Sequence, residues 1–488
     1  MSERGRAAVR PVDAPRVAIL TLGCKLNLAD SETMARRMRD GGWSVVDRAA
    51  GADAVVVNTC SVTHVADAKS RHLVRQARRL APGAQVAITG CMLETAKQDV
   101  IDALSADLVY HQPRQGDLTS RLIERRPAAT PTPCPSPIKG RGSGDEVALT
   151  MAPDPRQRRP AERWSQPVQH GRPFRTRAFV SAQEGCNDVC AFCIVPRTRG
   201  RERSKDVATV VAEVRAREAE GVHEVVITGT QLGAWQTSPP SPLSLRGESA
   251  TARRRGGVKE GEPERGLYAL LEALLRETSV PRIRMSSVQP QDLSLEMIRL
   301  WQDPRLCRHF HLALQSGSPG VLGRMRRRYG AQQYREAVDL LRREVPWVAI
   351  TTDVIAGFPG ETETEFEETL AFCREMAFAG MHVFPYSQRL GMVAARMPEQ
   401  VREPAKKDRV RRLMRLAEEM SAAYRESFVG SRQTVLWESA REHEGGRAWE
   451  GLTDTYVRVF AVSDAELENR MTPVTVTEVC EGGVRGKL

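Results

Sequence analysis

Between residues 173 and 400 a short β-branched run gives way six times to a stretch of helical periodicity. The runs are "RAFVSA", "HEVVITG", "RIRMSSV", "HFHLALQ", "VAITTDVIAG" and "MHVFPYS". Helical stretches among them include "DVATVVAEVRAREAE", "YALLEALLRE", "YREAVDLLRREV" and "TETEFEETLAFCREM". A strand that must pass through a helix before its parallel neighbour can form leaves few architectures open. Six such units predict a partial (β/α)6 barrel, whose ligands gather at the carboxyl ends of its strands. Ser204 and Gly221 bracket the first helix as cap and stop. "GFPGETE" reads as a turn into the last helix, with Glu361 and Glu363 near its start.

The alternation also marks residues 1–125, where "RVAILTLGC", "ADAVVVNTC" and "AQVAITGC" are separated by helical stretches. That pattern predicts a Rossmann-like parallel α/β domain. Residues 126–172 turn Pro-, Arg- and Ser-rich without periodicity and read as a disordered linker or insert. A second such segment, residues 237–266, interrupts the barrel. The two share "PSPIKGRG" and "PSPLSLRG", which suggests an inserted repeat element; an accessory RNA-binding arm is the functional alternative. A charged helical connector over 401–429 leads to short strands around turns over 430–488, read as a small antiparallel β-barrel.

The 488 residues are enough for about two to four domains. No run of 18 apolar residues occurs, so no membrane span is expected. The start carries arginines but no apolar core with a cleavage site, so a cytoplasmic protein is expected. In that compartment its ten cysteines are expected as thiols, metal ligands or catalysts rather than disulfides. The net charge of +11 suits a polyanionic partner or a solvated basic surface.

Six of the cysteines stand in patterns. Cys186, Cys190 and Cys193, spaced C-x3-C-x2-C, follow the first barrel strand. Three thiolates suit a [4Fe–4S] cluster with one iron left open, which could chelate S-adenosylmethionine. A zinc site with a distant fourth ligand, or three incidental thiols, are the alternatives. Cys24, Cys60 and Cys91 each close one of the three amino-terminal strand runs. Carboxyl ends of parallel strands lie along one edge, so these three can converge into a second three-thiolate site. Cys134, Cys307, Cys373 and Cys480 show no partner spacing.

With these motifs the chain resembles the radical S-adenosylmethionine methylthiotransferase family over nearly its whole length outside the two inserts. "VNTCSVTHVADAKSR", "HFHLALQSGS", "TDVIAGFPGETE" and "HVFPYSQR" look most like the branch acting on N6-threonylcarbamoyladenosine in tRNA. Met392 in "RLGMVAARM" departs from the Thr usual in the family. The resemblance implies two [4Fe–4S] clusters, with the one on Cys186, Cys190 and Cys193 cleaving S-adenosylmethionine to a 5′-deoxyadenosyl radical. The one on Cys24, Cys60 and Cys91 would carry the sulfur or methylthio group to C2 of the modified adenine at position 37, and a second S-adenosylmethionine would supply the methyl. It further implies a tRNA anticodon stem-loop as partner, an electron donor such as flavodoxin or ferredoxin, and a monomer. The terminal barrel resembles the family's small RNA-binding (TRAM) domain, with Tyr456, Arg458 and "GVRGKL" as expected contacts.

Other residues are candidates for contact with the cofactor. Gly229 and Gln231 stand at a strand end, where close backbone approach or a tight turn would each account for the glycine. Gln315 stands at another strand end. Asp353 could hold a ribose hydroxyl or be a structural carboxylate. Arg197, Arg199, Arg201 and Arg203 could meet phosphate or the substrate's threonyl carboxylate, or form a solvated face. The other readings of the chain are the same reaction on N6-isopentenyladenosine tRNA or on a ribosomal-protein Asp, and a non-catalytic iron–sulfur RNA-binding redox sensor.

Overall fold

The computed structural model describes residues 14–111, 115–124, 165–167, 176–235, 266–443 and 446–488. Most of 126–172, Cys134 and nearly all of the 237–266 insert lie outside the described residues. The chain divides into two units, Met1–Gly171 and Arg172–Leu488.

The first unit is a sheet with strands β1 Arg16–Leu22, β2 Ser44–Val46, β3 Ala54–Thr59, β4 Gln85–Gly90 and β5 Leu108–Tyr110. They run parallel in the order β2-β1-β3-β4-β5. A sixth strand, β6 Ser165–Pro167, pairs antiparallel with β1 and lies inside the stretch read as a disordered linker. Every residue of β3 is buried, as a central strand covered on both faces must be. The helix His64–Leu80 buries Val74 and Ala77 on one face of the sheet; Met34, Ala35 and Met38 of the helix Lys25–Asp40 pack on the other. The Thr63 side chain accepts from the Ala66 N–H to cap the former, and Arg78 and Arg79 complement its last turn.

The second unit continues with β7 Arg177–Ser181, β8 Gln183–Glu184, β9 Arg203–Ser204, β10 Glu224–Thr228, β11 Arg282–Met285, β12 Ser287–Val288, β13 His309–Leu312, β14 Ala349–Ala356 and β15 Gly380–Pro385. β7, β10 and β11 form one parallel sheet, and β12 to β15 form another. Only Ser286 separates β11 from β12, so the two make one curved run of six parallel positions, the expected partial barrel. Alternate residues such as Val225, Ile227, Phe310, Leu312 and Val354 pack outward against the helices. The intervening positions, among them Glu224, Arg284, His311 and Asp353, share the opposite, polar face. Asp206, not Ser204, caps the helix Val207–Ala219, accepting from the Thr209 N–H; Ser204 is spent pairing in β9. The helix Glu363–Met376 starts with a capping box between Thr362 and Glu365.

After the helix Glu403–Glu426, strands β16 Arg432–His443, β17 Gly446–Thr453, β18 Arg458–Ser463, β19 Met471–Cys480 and β20 Gly483–Lys487 close a barrel. It is not wholly antiparallel as expected. The tight β19–β20 hairpin turns the chain so that β20 runs parallel to β18 and seals the cylinder.

This small barrel docks on residues that open the parallel strands. Arg284 is fully buried and forks onto Glu224 at 2.7 and 3.0 Å, while also donating to the carbonyls of Thr453 and Asp454. Arg282 donates to the carbonyls of Leu452 and Thr434, Arg177 pairs with Glu438, and Arg308 grips Asp454 through both oxygens. Tyr456 stacks on His309 at 4.8 Å and lies under the Arg284 guanidinium, also at 4.8 Å. The ring expected to stack on RNA thus also packs at this junction while staying partly exposed. Arg458 pairs with Glu450, and Arg485 of the "GVRGKL" tail pairs with Glu478.

Burial alone would raise Glu224 and Asp454, but the guanidinium of Arg284 holds the first, and that of Arg308 the second, below the usual carboxylate range. Depressed carboxylates contribute stability that is present above their unfolded values of about 4 and is lost as pH falls through the folded ones. The thermal midpoint is thus expected to fall between about pH 5 and pH 3. The fall should be shallower in the E224M/R284M double variant, which lacks one titrating pair. Equal slopes would count against the assignment.

Candidate iron–sulfur and cofactor sites

The strand order β2-β1-β3-β4-β5 reverses direction beside β1, and ligands of such sheets bind at the carboxyl edge of that switch point. Cys24 lies two residues past β1, Cys60 one past β3 and Cys91 one past β4. These three strands are immediate neighbours, so the three thiols stand side by side on one edge. Burial, then the charge of Cys24, pushes the Cys60 thiol up to about 12, and Cys91 adds to it.

The edge is fixed by a buried amide pair that the sequence reading passed over. The Asn27 amide donates to the carbonyls of Leu22 and Thr59, and the Asn58 amide donates to the Asn27 carbonyl and the Ser31 hydroxyl. Both asparagines are fully buried. The signal was present in "VVVN", a polar residue ending an apolar strand, which demands a partner. Gly90 closes β4 at φ +101°, and a Cβ there would sit 2.4 Å from the Thr59 carbonyl oxygen. Gly90→Ala is expected to cost about 1–3 kcal/mol through backbone strain alone. It should also lower the iron recovered with this unit, and full iron with unchanged stability would contradict that.

In the second unit β8 and β9 pair antiparallel and pinch the base of the loop holding Cys186, Cys190 and Cys193. Gly185, at φ +70°, begins the loop where a Cβ would meet the Arg201 carbonyl oxygen at 2.1 Å. Between the cysteines the backbone is stitched on both sides. Ala191 N–H donates to the Met325 carbonyl, and Ala394 N–H donates to the Ala191 carbonyl. Phe192 meets Phe358 edge-on at 6.4 Å, and Phe358 meets Tyr386 at 5.5 Å, giving the loop an apolar floor. Burial raises Cys186 to about 12 and Cys193 to about 11. The Asp188 N–H donates to Cys186 Sγ, and Arg327 Nη1 donates to Cys190 Sγ at 3.2 Å.

A buried polar chain runs from this loop to the strand ends. Asp188 pairs with Arg328 at 2.7 Å and accepts from Gln289, which also donates to Gln231; Gln231 in turn donates to Asp292. Gln231 therefore spends its side chain inside the protein. The Gly229 N–H donates to Ser286, and a Cβ at this position would meet Gln183 at 3.0 Å. Gln315, at φ +72°, exchanges backbone hydrogen bonds with β14. Asp353 sits between two imidazoles, 3.2 Å from His311 Nε2 and 3.5 Å from His382 Nδ1. Among the four arginines past the loop, Arg199 and Arg203 are drawn to Glu184 and Arg197 donates to the Gly391 carbonyl; Arg201 is exposed. Glu361 accepts from the Gly357 N–H and from Arg409.

Among the described residues no group of three His, Cys, Asp or Glu is set to hold a single metal ion. A cluster whose thiolates each take a different iron asks for a wider triangle. The donor sets fit such a group. Each site offers three soft thiols outside any disulfide; burial holds Cys60, Cys186 and Cys193 neutral, and a bound cation would deprotonate a coordinating thiol outright.

Residues 16–110 match a family described as "Uncharacterized protein family UPF0004", and residues 180–373 match the "Radical SAM superfamily". The chain is 32% identical to the threonylcarbamoyladenosine tRNA methylthiotransferase MtaB of Bacillus subtilis, over 94% of this chain and 93% of that one. The protein of the same name from Aquifex aeolicus is 31% identical over 86% of this chain and 92% of its own. A tRNA-2-methylthio-N(6)-dimethylallyladenosine synthase of Mycobacterium marinum is 34% identical over 86% and 74%.

Proposed function

We propose that this chain, which belongs to the radical S-adenosylmethionine tRNA methylthiotransferase family, methylthiolates C2 of N6-threonylcarbamoyladenosine at position 37, beside the anticodon. The observation that supports the reading is that the chain carries two sets of three cysteines, one directly after the neighbouring parallel strands β1, β3 and β4 and the other in the loop after β7 and β8. The relatives named for threonylcarbamoyladenosine support the substrate, although a dimethylallyladenosine enzyme is equally similar. The tRNA anticodon stem-loop, a flavodoxin- or ferredoxin-type donor, a monomeric state and a cytoplasmic setting belong to the same proposal.

In this reading Cys186, Cys190 and Cys193 hold one [4Fe–4S] cluster, and Cys24, Cys60 and Cys91 hold another. When bound, these groups supply the electron that cleaves S-adenosylmethionine and the sulfur that reaches the base. The protein's residues bind, orient and shield. Gly185 and the β8–β9 pair present the three-cysteine loop, and the apolar floor of Phe192, Phe358 and Tyr386 keeps water from its underside. Gly229, Gln315 and Asp353 line the S-adenosylmethionine pocket from neighbouring strands, and Gln231 braces it through Gln289 and Asp188. Asn27 and Asn58 hold the ends of β1 and β3 in register, so that Cys24 and Cys60 keep their spacing.

The test is the reconstituted enzyme with reductant, S-adenosylmethionine and anticodon stem-loops carrying either threonylcarbamoyl- or isopentenyladenosine. Methylthio product on the threonylcarbamoyl substrate is expected. Product on the isopentenyl substrate alone would move the chain to the other branch.

A further inference from the structure

The guanidinium of Arg327 is held on two sides. Its Nε and Nη2 donate to the Tyr329 hydroxyl at 3.1 and 2.8 Å, and its Cζ lies 4.7 Å over the Tyr329 ring. Tyr329 is 3% exposed, and its hydroxyl donates onward to the carbonyls of Ala313 and Leu314, just beyond β13. The remaining Nη1 points at Cys190 Sγ, 3.2 Å away. Its neighbours Arg326 and Arg328 are exposed, Arg328 reaching Asp188 from the surface; within "RMRRRY" it is Arg327 that donates to a cysteine sulfur.

We propose that Arg327 is a positioning residue that sets the reduction potential of the iron–sulfur group held by Cys186, Cys190 and Cys193. This rests on the proposed ligand role of that triad. Adding an electron to such a group increases the negative charge on its sulfur ligands. A fixed cation donating a hydrogen bond to one of them favours the reduced form, because hydrogen bonds to the sulfurs and local charge are what tune these centres. A guanidinium suits the task, since it stays charged at any working pH and its planar fork can hold tyrosine and sulfur together. The linkage through Tyr329 to the carbonyls of Ala313 and Leu314 also ties Cys190 to the segment that leads from β13 to Gln315.

The test is a redox titration followed by electron paramagnetic resonance. It uses the full chain with Cys24, Cys60 and Cys91 replaced by alanine, so that one centre is read. Arg327→Met is expected to keep about four irons per chain and to move the midpoint to more negative potential. A tenfold loss of reduced centre at fixed ambient potential corresponds to about 59 mV for one electron. Arg327→Lys should recover part of the shift. Tyr329→Phe, which keeps the charge but loses its anchor, should shift in the same direction by less. An unshifted midpoint in Arg327→Met with full iron overturns the proposal. If that variant does not hold iron, an unshifted, fully loaded Tyr329→Phe overturns it instead. A parent chain without iron would sink the ligand assignment itself, a different failure read from the iron content before any titration.

Discussion

Replacing Cys186, Cys190 and Cys193 with alanine is expected to remove about half of the roughly eight irons the anaerobically reconstituted chain should bind, and to abolish cleavage of S-adenosylmethionine. Replacing Cys24, Cys60 and Cys91 should remove the other half and abolish methylthio product, yet leave reductive cleavage to 5′-deoxyadenosine running. The asymmetry follows from where the thiols stand. The first set hangs on a loop pinched by β8 and β9 at the mouth of the partial barrel. The second lies on the edge of a sheet with its own core and its own buried asparagine lock. Each set can therefore be emptied without unfolding the other unit. Iron analysis and quantitation of 5′-deoxyadenosine read the two effects independently. Intact cleavage in the chain lacking Cys186, Cys190 and Cys193 would reverse the assigned roles.

A second large effect is expected far from any cysteine. Glu224 is fully buried and is the carboxylate partner of Arg284, which is equally buried. Glu224→Ala leaves that guanidinium with two carbonyl oxygens but without a counter-charge. Breaking one side of a buried pair costs about 3–5 kcal/mol. Trp437 and Trp449 are buried inside the terminal barrel and report its unfolding by fluorescence. The urea midpoint of that transition should fall sharply in Glu224→Ala. In the E224M/R284M double variant it should stay near the parent, since well-packed apolar replacements of a buried pair are often neutral. A single variant as stable as the parent would show that the junction between barrel and sheet does not depend on this pair.

The partial barrel was legible because strand runs and helical periods alternate along it, whereas the capping box of Thr362 and Glu365 in the last helix was seen only in the fold. The edge strands β2 and β5 escaped, since three residues carry no period. So did the pairing of β18 with β20, which depends on how a distant hairpin folds back. The placement of Cys24, Cys60 and Cys91 after neighbouring parallel strands was readable from their shared address, and that of Cys186, Cys190 and Cys193 in a loop after the first barrel strand from the strand pattern. The contact of Arg327 with Cys190 was not legible, because the four arginines of "RMRRRY" look alike until the fold turns Arg327 toward the sulfur. Tyr456 and Arg458 have protein partners that went unseen for a related reason. An aromatic and a cation beside a barrel loop look free in sequence, but the fold sets the Tyr456 ring against His309 and Arg284 and pairs Arg458 with Glu450, leaving both partly exposed. Ser204 looked like a helix cap because it precedes an apolar helix, but its backbone was needed in β9 and the role passed to Asp206.

The central claim is that this chain places a methylthio group on threonylcarbamoyladenosine in tRNA. Mass spectrometry of nucleosides from total tRNA tests it most directly, comparing a strain that lacks the gene with the same strain carrying the intact gene or a copy without Cys186, Cys190 and Cys193. The account predicts 2-methylthio-N6-threonylcarbamoyladenosine only with the intact gene, and its unmodified precursor accumulating in the other two. Unchanged levels of that nucleoside in all three strains would contradict it.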